Sequence, residues 1–176
     1  MEDDLPGFDT RLRDGRTVHI RATRPADEAE LLQAFERMSE HARYMRFMGT
    51  VREPNLARLR QALASFPEKG IGLVATVPAS DGYDIAGSAI ALIGADGSSC
   101  EFAISVAGAY GGAGLATTLM TTLIDAARRR GLAQMEGFVL SVNQPMLKLA
   151  RRMGFTIAAD PDDASVRICR LPLAGA

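Results

Sequence analysis

The segment SVAGAYGGAGLATTLM, Ser105–Met120, constrains this chain more than any other. It sets glycines 108, 111, 112 and 114 between a strand-like run and a helix-like one. Glycine loses more conformational freedom on folding than any other residue, so four of them beside a helix start are costly unless that backbone has work to do. After them Leu115, Leu119, Met120, Leu123, Ile124 and Ala127 form one apolar stripe at helical spacing. Arg128, Arg129 and Arg130 close the last turn, and Gly131 is placed to end it. Strand, glycine loop and amphipathic helix in that order belong to an α/β protein.

The flanking sequence fits the same class. TRLRDGRTVHIRA reads as two short strands around Asp14-Gly15, a dipeptide suited to a two-residue type I′ turn, with Val18, Ile20 and Ala22 on the buried face. RPADEAELLQAFERMS and PNLARLRQALASF read as helices, through Leu31, Phe35 and Met38 in the first and Leu56, Leu59 and Leu63 in the second. IGLVATV, DIAGSAIALIG and SCEFAISV are strands. Beyond the glycine helix, MEGFVLSV is a strand and Asn143 caps the helix QPMLKLARRM, whose Met146, Leu149, Ala150 and Met153 face inward. FTIAA and VRICRLPL complete the sheet. The expected order is strands, two helices, three strands, helix, strand, helix, two strands. That is a mixed sheet with helices on both faces.

The totals limit partners. At 176 residues, with no internal repeat or composition break, the chain reads as one domain. A formal net charge of −1 gives no field for gripping nucleic acid or an anionic membrane. The acidic start MEDDLPGFDT has no basic segment leading into an apolar run, and no stretch reaches the roughly 18 apolar residues of a membrane span. Cys100 and Cys169 stand alone, without CxxC or histidine spacing, and read as free buried thiols. A reduced, cytoplasmic setting without a metal is the expectation.

Three uses of the glycines compete. A nucleotide P-loop needs a lysine to reach the phosphates, and Gly112–Thr118 offers none. A dinucleotide fingerprint fits poorly, because its third small position is Thr117 and no acid ends the next strand; Glu136 comes too early. A bare anion cradle remains, in which backbone N–H groups at a helix N-terminus carry about +0.5 of charge and glycine lets a pyrophosphate approach. A glycine-rich turn that serves only close packing is the plainer alternative.

AYGGAGLATTLM resembles the acyl-CoA signature of the GNAT N-acetyltransferases, Gln/Arg-x-x-Gly-x-Gly/Ala, with Gly114 and Ala116 in the last two places. CEFAISV is similar to the strand before that loop. LSVNQPMLKLARRMGF is similar to the later strand, Asn-capped helix and Gly-Phe ending. MSEHARYMRF resembles the Leu-Ser…Tyr-x-Arg-Phe segment of bacterial protein-lysine acetyltransferase domains. The resemblance implies a single-domain, mostly antiparallel GNAT-like sheet over residues 10–173, with residues 1–9 as a tail. It departs from the signature at Gly111, where the family has Gln or Arg, and at Ala150, where many members carry a tyrosine acid.

By resemblance, acetyl-CoA is the co-substrate, held by the backbone of Ala103, Ile104, Ser105 and Val106, by Gly111, Gly112, Ala113, Gly114, Leu115 and Ala116, and by Asn143. Helix capping is the compatible plain role of Asn143. The cofactor cleft is expected between the strand ending at Val106 and the one ending near Ser141. Tyr44 and Arg46 would line the acceptor pocket, although Arg46 reads equally as a structural ion-pair residue. A lysine-type amine, with an ordinary pKa of about 10.4, must lose a proton before it attacks. Glu101, the one acid in SCEFAISV, matches the family's general base, and its apolar neighbours Cys100, Phe102 and Ala103 would raise its pKa. A solvated sheet-edge carboxylate is the alternative. No Ser-His-Asp or Cys-His arrangement is evident, which favours direct transfer. The amine acceptor is expected to be a protein lysine, against a small amine or a non-catalytic acyl-CoA sensor; self-association stays open.

Overall fold

A computed structural model describes residues 5–174. The strands are β1 (Phe8–Arg11), β2 (Thr17–Ala22), β3 (Gly70–Ala79), β4 (Gly82–Ile93), β5 (Ser99–Val106), β6 (Gln134–Leu140), β7 (Thr156–Asp160) and β8 (Asp163–Pro172). The helices are α1 (Glu28–Arg37), α2 (Glu40–Phe47), α3 (Leu56–Ser65), α4 (Leu115–Arg129) and α5 (Gln144–Arg152). The strands form one sheet in the order β1-β2-β3-β4-β5-β6-β8-β7, antiparallel at every junction except β5–β6. This is the mixed, mostly antiparallel α/β sheet expected.

The apolar stripe of α4 builds the core on one face. Leu119, Met120, Leu123 and Ala127 are fully buried and pack with Ile71, Leu73, Ala89, Ala91 and Phe102. Leu147 and Ala150 of α5 join the same core through Met135, Val139 and Phe155. On the opposite face, the ring of Phe66, just after α3, covers Gly72, where a Cβ would stand 2.5 Å from the ring. Both cysteines are buried and free, and burial pushes the Cys100 thiol up to about 11, which removes it as a nucleophile.

One buried charge is fully enclosed. Asp27, 1% exposed, takes both guanidinium nitrogens of Arg21 at 2.8 and 2.9 Å, the N–H of Arg24 at 2.7 Å and the Tyr83 hydroxyl. Burial by itself raises that carboxyl's pKa. The hydrogen bonds from Arg21, Tyr83 and Arg24 outweigh it and hold the group below the ordinary carboxylate value.

Four details depart from the expectations. A third helix, α2, occupies the HARYMRF segment; none of its residues is buried, so it carries no closed apolar stripe. It forms because Ser39 Oγ accepts the Ala42 N–H at 3.0 Å. Arg43 then ties it to the end of α1, donating to Phe35 C=O at 3.0 Å and lying 4.2 Å over that residue's ring. The first hairpin is not a two-residue turn. Only Gly15 has positive φ (+92°), and Leu12 N–H to Arg16 C=O (2.7 Å) closes a three-residue loop over Arg13–Gly15. β1 begins at Phe8, inside the stretch read as tail, and α4 begins only at Leu115, so a helix expected to start at about Gly112 gives up its first turn to the glycine loop.

Candidate active site

The site begins where two strands part. β5 and β6 pair only at Ser99–Gln134, Cys100–Met135 and Glu101–Glu136. Beyond Glu101, β5 continues with β4 as far as Val106–Gly87, while β6 continues with β8 as far as Leu140–Val166. At the fork the Phe102 ring lies across β6, where a Cβ on residue 137 would fall 2.2 Å from it; only glycine fits there. That ring packs tilted on Phe155, with 5.2 Å between centroids.

The fork exposes backbone. Ala107 N–H donates to Ala86 C=O at 2.8 Å. Because a strand turns its amide groups to alternate sides, Ser105 and Ala103 also point theirs at β4. The N–H and C=O groups of Ile104 and Val106 therefore face the gap, where no strand among the described residues pairs with them. This narrows the expectation: of Ala103–Val106, two residues turn main-chain groups toward the opening and two do not.

At the mouth of the fork the chain passes through a short 3-10 turn, Gly108–Tyr110, into the glycine loop. Gly112 and Gly114 have φ of +72° and +90°, a region that L side chains rarely adopt. Gly111 has an ordinary φ of −66°, and nothing crowds Gly108, so only two of the four glycines are required by the backbone. Gly114 caps α4 without a side chain, and the first intrahelical bond comes from Thr118 N–H to Gly114 C=O at 3.2 Å. Among the described residues, no protein group accepts the N–H of Gly112, Ala113 or Gly114. Together with the first amides of α4 they form an unfilled set of donors at a positive helix end.

Charge collects at the root. Glu101 and Glu136 are in-register parallel neighbours, so their side chains leave the same face of the sheet. Glu136 accepts from Arg170 Nε at 2.8 Å, whereas Glu101, exposed, has no hydrogen-bond partner among the described residues. Partial loss of solvent, then the Glu136 charge, raise the Glu101 pKa from its ordinary value; Arg46 and Arg58 act against them. α2 lies against β5 and β6 and carries Arg46, which makes no hydrogen bond among the described residues and stands 4.8 Å over Phe47. Half-buried, the Arg46 guanidinium is pushed down by its partial loss of solvent, and Glu101 pulls it back.

Tyr44 is 44% exposed on the outer side of α2, near exposed Phe47 and Met48. Asn143, three residues past β6 and so at the same end as Val106, caps α5 by accepting the Met146 N–H at 3.3 Å. Its plain role is thus in use. Glu101, Arg46, the backbone of Ile104 and Val106, Gly111–Ala116 and Asn143 all lie along the fork. Sequence reasoning missed Glu136 and Arg58, because only the strand register and the fold of α3 bring their charges to Glu101.

Comparison with known proteins shows the family and the fold. The model of the acetyltransferase (GNAT) domain matches residues 17–156. The chain is 35% identical over 162 residues to Acetyltransferase PA5475 of Pseudomonas aeruginosa, covering 92% of this chain and 87% of that one. Its fold is similar to the GNAT domain of S. lividans PAT, with TM-score 0.84 at 24% identity over 95% of this chain and 97% of that one. It is also similar to yncA, a putative acetyltransferase from Salmonella typhimurium solved with its cofactor acetyl-CoA, with TM-score 0.68 at 24% identity over 90% and 95% of the two chains. No helix among the described residues is long and apolar enough to cross a membrane.

Proposed function

The chain belongs to the GNAT acetyltransferase family and is an acyltransferase; on that premise we propose that it moves an acetyl group from acetyl-CoA directly to a primary amine, a protein lysine by preference, with Glu101 as general base. The observation that carries this reading is the place where strand pairing stops. The last paired residue of β5 is a free carboxylate, and the next strand residues offer unpaired amides along the gap.

Acetyl-CoA supplies a thioester carbonyl, electrophilic enough for an amine to attack. The protein's part is to hold it and to manage protons and charge. Gly112–Ala116 would take the pyrophosphate on backbone N–H groups, and Ile104 or Val106 would pair with the pantetheine arm. Glu101 accepts a proton from the ammonium, directly or through one water, so that the nitrogen lone pair can form the new C–N bond. A free N–H in the gap bonds the carbonyl oxygen as it gains negative charge. The C–S bond then breaks, the thiolate leaves with the electron pair, and the surplus proton on the newly acylated nitrogen passes through solvent to that thiolate. General-base catalysis of this kind contributes about 10²–10⁴-fold.

A protein acceptor suits the rim. Tyr44 and Phe47 on α2 and Met48 at its C-cap are large, mainly apolar side chains left exposed near Arg46, a surface fit for a polypeptide rather than an enclosing pocket for a small amine. Incubation with acetyl-CoA and a cell lysate, followed by mass spectrometric mapping, is expected to find new acetyl-lysines on proteins. Acetylation of small amines alone would reverse the acceptor preference. Binding of acetyl-CoA with no transfer to any lysate protein or amine panel would make the chain a sensor.

A further inference from the structure

The glycine loop carries no charge of its own, since residues 108–116 read GAYGGAGLA. Its backbone is gripped instead by the tip of the first hairpin, about a hundred residues earlier in the chain. Leu12, 4% exposed, anchors that tip in the core. Arg13 N–H donates to Ala113 C=O at 3.1 Å, and Arg13 Nη2 donates to Gly112 C=O at 3.2 Å. The Arg13 Nε stands 3.3 Å from where a Cβ on residue 114 would be. Beside it the Arg16 guanidinium lies 4.1 Å over the Tyr110 ring while paired with Asp14.

These bonds fix peptide planes. In a trans peptide the C=O of one residue and the N–H of the next point in opposite directions. Holding the Gly112 carbonyl toward the hairpin turns the Ala113 N–H away from it, and holding the Ala113 carbonyl does the same for the Gly114 N–H. The hairpin reaches the loop from the β2 side of the sheet, so both amides are aimed away from it, on the side where β5 has lost its neighbour. Glycines on either side would otherwise let these planes flip at small cost. Arg13 has no carboxylate partner among the described residues, so its charge also stays beside the loop.

We propose that Arg13 is a positioning residue for the acyl-CoA pyrophosphate, locking the peptide planes at 112–114 so that their N–H groups converge on one anion. The proposal rests on reading Gly112–Ala116 as the pyrophosphate cradle. Arg13→Ala and Arg13→Lys test it, with affinity for acetyl-CoA measured by calorimetry. Initial rates would use acetyl-CoA and, separately, S-acetylpantetheine, which carries the thioester without the pyrophosphate. Arg13→Ala is expected to raise the Kd and KM for acetyl-CoA about tenfold, the size of one hydrogen bond from a charged group. Its kcat, acceptor KM, thermal midpoint and rate with S-acetylpantetheine should match wild type. Arg13→Lys, which can still donate to Gly112 C=O, should recover part of the affinity. Unchanged acetyl-CoA affinity in Arg13→Ala, or an equal loss with S-acetylpantetheine, would overturn the proposal. A wild type that fails to bind acetyl-CoA removes the cradle reading itself, a result distinct from wild-type binding that Arg13→Ala leaves intact.

Discussion

Two groups of charged side chains in this molecule are built in opposite ways. Around Asp27 both carboxylate oxygens have two donors each, and Arg21 and Asp27 are almost wholly enclosed at 12% and 1% side-chain exposure. Around Glu101 the charges are close enough to shift one another, yet neither Glu101 nor Arg46 has a hydrogen-bond partner among the described residues. A saturated buried network fixes the geometry of the elements it joins, here β2, the start of α1 and β4. An unsaturated cluster beside a gap in the sheet keeps its capacity for a substrate. The difference is one of completeness, not of charge: one set has its partners and the other lacks them.

The largest effect should come from breaking the complete set. Asp27→Asn leaves the Arg21 guanidinium buried without its anion, which costs about 3–5 kcal/mol. Chemical denaturation would measure it, with transfer by the folded fraction unchanged. Because the folded Asp27 pKa lies below its unfolded value, the carboxylate stabilises the fold above the unfolded value. That contribution fades as pH falls through the folded one. Asp27→Asn should flatten this acid dependence. A loss under about 1 kcal/mol would put the pair among weak surface bridges and undo the contrast.

Gly114→Glu acts on the incomplete side. It adds bulk and negative charge at a residue with φ of +90°. Wild type should gain about 2.7 kcal/mol at a hundred times the acetyl-CoA dissociation constant, and a variant that still melts cooperatively should gain nothing. Retained stabilisation would mean that the loop is only a packing turn. The smallest effect belongs to Glu136→Gln. Removing this neighbouring charge lowers the Glu101 pKa, so the acid limb of kcat/KM should move to lower pH. Stability should change by less than about 1 kcal/mol, since Glu136 and Arg170 form a half-exposed pair. An acid limb that stays in place would detach Glu136 from the site.

The complete and the incomplete parts also differ in how far they could be read from sequence. Leu115, Leu119 and Leu123 set α4 by their own spacing, and Val18 and Ile20 set a face of β2, because burial writes periodicity into a chain. α2 escaped because nothing in it is buried; Ser39 and Arg43 place it through hydrogen bonds to backbone, which leave no periodic trace. Asp14-Gly15 pointed to a hairpin but not to its three-residue loop, and that loop is what frees the Arg13 N–H for Ala113. Within the site, Glu101 and the glycines were visible as residue types out of place. Glu136 was not, because its charge matters only through the register that sets it beside Glu101.

Whether Glu101 takes the proton from the amine is decided by kcat/KM against pH for Glu101→Gln, with an acceptor that wild type acetylates. The substitution nearly preserves size and removes the proton acceptor. A loss on the order of 10²-fold or more near neutral pH is expected. Stabilisation by acetyl-CoA should be undiminished, and activity should partly recover as pH rises toward the amine's own pKa of about 10.4. A variant as fast as wild type across the whole pH range would contradict that role for Glu101.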